Sequence, residues 1–276
     1  MKRLLSFSVL CFALAIAPYA HAQTTTVVPN QLTNTEGPSG GEGTALGRFS
    51  NTAFIVYGED LITAAGINTG DVLTGLAFRV DGGTSTSNDQ SPNFGVDEYV
   101  IQLGQSTVAP GDLIENNFQS NAVGGALTEV RSGPLDLFQN DFDSNTNNAS
   151  STSGTPNAFG PEITFDTNYV YTGGDLLLLY SHTASRSIVG NTDGFVTAAA
   201  DNFTNTFTAT GDPDFAVDTQ IIFGGGFLGN SRAFGAAGSG DGGGTVVQFS
   251  VIPEPTSAAL LMGLGLIGVA RRRRTM

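Results

Sequence analysis

Few residues in this chain are of a type and spacing that chemistry can use. Asp141, Asp143, Asn145 and Asn147 alternate within NDFDSNTNN as oxygen ligands do at the start of an EF-hand loop, where every second side chain converges on Ca2+. Thr146 stands in the place of the sharp-turn glycine and Thr152 in that of the closing bidentate Glu, so an EF-hand is excluded. Asp141, Asp143 and Asn145 are left as candidate ligands of a looser Ca2+ site, with Asp212 and Asp214 as a second place for one; no other cofactor is expected. His182 is the sole histidine after His21, so any Ser-His-Asp triad or His-ligated zinc would have to use it. No nucleophile is spaced to meet it, and it reads as a strand-end or surface histidine.

Glu59-Asp60 and Asp97-Glu98 offer paired carboxylates, the equipment of glycoside hydrolysis. Read as strand residues, adjacent side chains point to opposite faces, so neither pair can act together. The glycine pattern G-x-G-x-x-G occurs at Gly238, Gly240, Gly243 and again at Gly263, Gly265, Gly268, but neither copy sits between a strand and a helix, where a dinucleotide needs it. Gly37-Pro38-Ser39-Gly40-Gly41 fits G-x-S-x-G, yet its turn formers make it a loop rather than a nucleophile elbow. No catalytic residue is assigned.

The two ends are built differently from the middle. Lys2 and Arg3 precede an apolar run over residues 4–17, and Ala20-His21-Ala22 supplies small residues at a cut placed between Ala22 and Gln23, the layout of a secretory signal over residues 1–22. Near the other end, residues 256–270 are apolar and, as a helix, extend about 22 Å at about 1.5 Å per residue. A hydrocarbon core of about 30 Å asks for roughly 20 residues, so the segment spans only with help from its flanks or from local thinning. Arg271, Arg272, Arg273 and Arg274 follow and resist translocation, so the tail reads as a transient inner-membrane anchor with its basic end in the cytoplasm.

Pro253-Glu254-Pro255, an apolar span and an arginine cluster, in that order over residues 253–276, resemble the PEP-CTERM sorting domain of exported bacterial proteins. The resemblance implies an exosortase, an integral membrane protease, that recognises and cuts near the motif in a Gram-negative bacterium that makes exopolysaccharide, while the signal over residues 1–22 makes the Sec machinery the expected export partner. Residues 48–183 are also similar to a β-rich domain of such precursors, through LTGLAFRVD, TEVRSGPLDL and GGDLLLLYSH.

Between the ends lie residues 23–252, a body without Cys, Lys, Met or Trp, which excludes disulfides, thiolate catalysis and Schiff-base lysines there. Five arginines face 24 acids, a net of −19, which excludes nucleic acid as a partner and disfavours anionic lipid. The body must position its side chains on strands. Leu76, Phe78 and Val80 alternate against Ala77 and Arg79; Tyr99, Ile101 and Leu103 repeat the pattern; so do residues 215–223. Further strands are expected over residues 53–57, 127–131, 163–165, 203–208 and 245–251, and the unbroken apolar run 176–180 reads as a central strand covered on both faces. No useful amphipathic helix is seen, and residues 140–161 form a loop or linker.

These elements predict an all-β fold, an antiparallel β-sandwich of jelly-roll type occupying residues 23–252 as one domain. The expected function is a non-enzymatic cell-surface or extracellular-matrix protein, associated with exopolysaccharide or biofilm. A carbohydrate-binding module and a carboxylate-dependent extracellular hydrolase are the alternatives, separated by glycan binding and by two carboxyls facing one cleft at about 5 to 9.5 Å.

Overall fold

The computed structural model describes residues 22–35, 39–40, 51–79, 94–114, 118–138, 156–184, 201–204, 219–225, 231–233 and 243–254. The expected signal segment, the membrane segment 256–270 and most of the 140–161 loop lie outside the described residues. In chain order the strands are β1 (Thr24–Val28), β2 (Ser39–Gly40), β3 (Asn51–Tyr57), β4 (Val72–Phe78), β5 (Phe94–Val96), β6 (Tyr99–Gln105), β7 (Thr128–Arg131) and β8 (Leu135–Leu137). After them come β9 (Ile163–Val170), β10 (Leu176–His182), β11 (Asp201–Thr204), β12 (Thr219–Gly225), β13 (Ser231–Ala233), β14 (Gly243–Thr245) and β15 (Val247–Ile252). One four-stranded sheet has the order β1-β15-β4-β9 and one six-stranded sheet the order β13-β12-β3-β10-β6-β7. Smaller sheets join β14-β11-β2 and β5-β8, and the pairing is antiparallel.

The two large sheets share one apolar core. Val27, Leu73, Leu76, Phe78, Phe249 and Val251 of the first sheet pack in the same cluster as Ile55, Tyr57, Ile101, Leu103, Leu178 and Tyr180 of the second. Phe78 meets Tyr180 edge-on, with ring centroids 5.8 Å apart and planes at 72°. Leu73 and Leu76 are three residues apart, a spacing that a regular strand would split between faces. The register of β4 shifts between these residues, against β15 and against β9, so both side chains enter the core.

β10 shows why an unbroken apolar run makes a central strand. Leu176, Leu178 and Tyr180 point into the main core, whereas Leu177 and Leu179 join Phe54 and Val56 in a second cluster on the outer face of the sheet. Leu113 and Ala122, from the segment between β6 and β7, cover that outer face, and Phe118 stacks on Phe54 at 5.1 Å. Full burial of each leucine contributes about 1.5–3 kcal/mol relative to exposure.

The buried phenols end on defined partners. Tyr57 Oη donates to the Thr245 carbonyl at 2.7 Å, and Tyr180 Oη lies 3.2 Å from Thr245 Oγ1. Burial first, and the neighbouring Tyr180 second, hold the Tyr57 and Tyr99 hydroxyls well above their ordinary value, the positive charge of Arg131 acting weakly the other way on Tyr99.

Several expectations need correction. Arg79 occupies the face opposite the core, as the alternation predicts, yet it is fully buried. Its guanidinium donates to the carbonyls of Leu32 at 2.8 Å and Thr35 at 2.7 Å and sits 5.4 Å from the Phe159 ring centroid, so carbonyls and an aromatic face replace water. Glu59 and Asp60 are not on a strand: they open the helix α1 (Glu59–Ala64), a six-residue element too short for the periodicity of EDLITA to reveal. Asp97 and Glu98 lie in the turn between β5 and β6 rather than within a strand. Strand β9 continues to Val170, five residues past its expected end, and the expected strand 245–251 is interrupted at Val246.

Candidate functional site

The four-stranded sheet brings the two ends of the body together. In β1, Thr24 is the register partner of Val251 in β15, and Thr24 Oγ1 donates to the Val251 carbonyl at 3.4 Å. Gln23, the residue after the expected signal cut, immediately precedes Thr24 of that pair, and Ile252, next to Pro253-Glu254-Pro255, immediately follows Val251 on β15. Ala22 and Gln23 are exposed, and Gln23 Nε2 reaches Glu162 Oε1 at 3.2 Å.

On its other side β15 runs beside β4, and its last pair is Ile252 with Val72. Pro cannot donate to a ladder, so the strand stops at Pro253. The next N–H finds a side chain instead: Glu254 N donates to Asp71 Oδ1 at 2.8 Å. The other oxygen, Asp71 Oδ2, accepts the Asn68 N–H at 2.7 Å, and Asp71 is 4% exposed. Both oxygens of one buried carboxylate are thus aimed by backbone amides, the arrangement in which a charge is tolerated away from water.

The turn carrying Asp71 is fixed from behind. Gly70 N donates to the Tyr171 carbonyl at 2.8 Å, and Tyr171 N donates to the Asp71 carbonyl at 2.9 Å. Gly70 adopts φ +97, and a Cβ there would lie 2.6 Å from the Glu254 carboxyl carbon, so glycine answers both a left-handed turn and a close approach. Tyr171 is buried, with its hydroxyl donated to the Gly174 carbonyl; burial and the nearby Glu59 and Asp175 carboxylates raise it above its ordinary value. The hydrogen bonds of this junction hold the peptide segment that follows β15.

Other candidate residues occupy structural places. His182 ends β10, as its position after the apolar run predicts, but it is buried rather than at the surface; its ring stacks on Tyr99 at 5.7 Å and Nδ1 lies 2.8 Å from the Thr183 carbonyl. Glu59 Oε1 accepts Gly174 N at 3.1 Å, while Asp175 Oδ1 accepts Glu59 N at 2.9 Å. Glu98 Oε1 accepts Gly133 N at 2.8 Å and the Ser132 hydroxyl at 3.0 Å. In these cases the carboxylates fasten separate turns of the chain to one another. Among the described residues no group of three or more His, Cys, Asp or Glu side chains is placed to hold a metal ion. Asp141, Asp143, Asn145, Asp212 and Asp214 lie outside the described residues, as do Pro255 and Arg271, Arg272, Arg273 and Arg274. No helix among the described residues is long and apolar enough to cross a membrane.

Asp71 was not among the candidate residues. The turn formers Asn68, Gly70 and Asp71 mark a turn before β4, but its partner Glu254 is 183 positions away, a separation at which sequence spacing gives no signal.

Comparison with known proteins adds one match: residues 251–274 fit the PEP-CTERM protein-sorting motif. No curated protein matches the chain. The matched segment begins inside β15, so the motif starts within the folded sheet, with Pro253 and Glu254 at the junction just described.

Proposed function

We propose that this carrier of an exosortase-type sorting motif is exported by the Sec machinery and held in the inner membrane of a Gram-negative bacterium through residues 256–270. Arg271, Arg272, Arg273 and Arg274 face the cytoplasm, and an exosortase cuts near Pro253-Glu254-Pro255. The body is thereby delivered to the cell surface or the extracellular matrix, where it acts without catalysing a reaction, in association with exopolysaccharide or biofilm. The observation that carries this reading is the sorting motif at residues 251–274, continuous with the last strand of an antiparallel β-body.

The body itself is read as a jelly-roll β-sandwich. Leaving aside β12 and β13 at one edge, the orders β1-β15-β4-β9 and β3-β10-β6-β7 are those of the two four-stranded sheets of that fold, and the shared core supports the reading. Lectin domains use the same arrangement, which by analogy of fold alone favours glycan binding as the second reading. Binding to a glycan array or to purified exopolysaccharide separates it from a purely structural role.

The test of sorting is fractionation of cells expressing the full chain, the chain with Arg271, Arg272, Arg273 and Arg274 changed to Gln, and the chain with Pro253-Glu254-Pro255 changed to three alanines. The unaltered chain is expected to lose both ends and reach the surface, and the triple-alanine variant to remain membrane-bound at precursor mass. Residues 23–252 retained in the cytosol, uncut at either end, would sink the proposal.

A further inference from the structure

We infer that Asp71 and the 68–71 turn form a socket for the end of β15 that confines tail cutting to the C-terminal side of Glu254. This inference rests on the reading of the tail as processed by an exosortase. A protease must take its substrate as an exposed, extended segment whose backbone groups are free to pair with the enzyme. Upstream of the motif that condition fails. β15 pairs with β1 as far as Val251 and with β4 as far as Ile252, so its backbone groups are engaged on both sides. The next N–H, that of Glu254, is donated to the buried Asp71 carboxylate at 2.8 Å.

The socket is rigid because each of its parts is fixed independently. Asp71 Oδ2 is held by Asn68 N at 2.7 Å, and the main chain of Gly70 and Asp71 is tied to Tyr171 through bonds of 2.8 and 2.9 Å. Cutting the Pro253–Glu254 bond would part Glu254 from the buried carboxylate that holds its N–H; cutting beyond Glu254 leaves that bond and the whole of β15 in place. The cut breaks one C–N bond: the retained carbonyl carbon gains oxygen from water, or nitrogen from an amine acceptor, and the tail leaves as an amine. Asp71 takes no part in that exchange. It is a positioning residue.

The test is intact-mass and C-terminal peptide analysis of the mature protein from cells making the full chain. The mature form is expected to keep Val251-Ile252-Pro253-Glu254, ending at Glu254 or beyond. An end at Pro253 or earlier overturns the socket while leaving tail processing standing, and a mature form that still carries Arg271 to Arg274 overturns both. Asp71→Ala in the full chain is expected to raise the share of products ending at Ile252 or Pro253 by roughly tenfold or more, the factor that loss of one hydrogen bond to a charged group implies. Asp71→Asn, which keeps one carbonyl acceptor and the shape of the turn, should give an intermediate share, and it decides the matter if Asp71→Ala fails to fold. Folded variants that end where the unaltered protein ends would refute the role of Asp71.

Discussion

β10 and β15 are both interior strands of their sheets, and they are held by different physics. Every residue of β10 is buried, and apolar clusters cover both of its faces. β15 buries Val247, Phe249 and Val251 on the core side, leaves Gln248 and Ile252 half-buried, and hands its end to a single carboxylate at Asp71. Burial holds a strand wherever its neighbours fill space, with little dependence on which partner does so. A hydrogen-bonded terminus depends on one donor and one acceptor. The first arrangement protects the fold, and the second marks where the fold stops.

The sharpest way to break this comparison is to remove bulk from β10. Leu178→Ala is expected to cost about 2–5 kcal/mol through lost burial and the cavity left behind, read as a lowered midpoint in urea unfolding of the purified mature protein. Asp71→Ala should cost less, about 1–3 kcal/mol, because it leaves two N–H groups without their acceptor but empties little of the core. If the two variants proved equally damaging, the contrast between a packed strand and a tethered end would fail.

A finer measurement concerns pH. The Tyr57 and Tyr99 hydroxyls are held above their ordinary value of 10.0, chiefly by burial. The unfolded chain sheds these protons near that value and the folded chain does not. Their contribution to stability is therefore complete below about pH 10 and is lost as pH rises toward the raised folded values. Tyr57→Phe should cost about 1 kcal/mol at neutral pH, through the lost bond to Thr245, and should lessen the alkaline slope by about 1.4 kcal/mol per pH unit, one proton's worth. Unfolding titrations between pH 8 and 12 read both effects. The smallest effect is expected at Asp166→Asn: Asp166 is 65% exposed and 4.0 Å from Arg131, so loss of that pair should change stability by less than about 0.5 kcal/mol in thermal melts.

Legibility in the sequence follows the same division. Strands announced by local pattern were readable: the leucine run of β10, the alternation of Tyr99, Ile101 and Leu103, and the core-facing aromatics. The antiparallel all-β class followed from them. β1 was not expected, because TTTVV is short and only its last two residues are buried. Helix α1 was missed for a related reason, six residues being less than two turns. Arg79 was expected on the correct face but not in a buried position, since its carbonyl partners come from the segment after β1. Of the junction, Pro253 and Glu254 were legible from their motif, whereas Asp71 becomes visible only once folding joins positions 71 and 254.

The placement of β15 between β1 and β4 carries a consequence for timing. A polypeptide threading a membrane from its N-terminus delivers β1 and β4 early, and those two strands have no common neighbour until residues 247–252 arrive. The sheet therefore lacks its joining strand until nearly all of the body has been delivered. Order in this sheet thus waits on the last strand of the body, whereas the ladder β3-β10-β6-β7 needs nothing beyond His182.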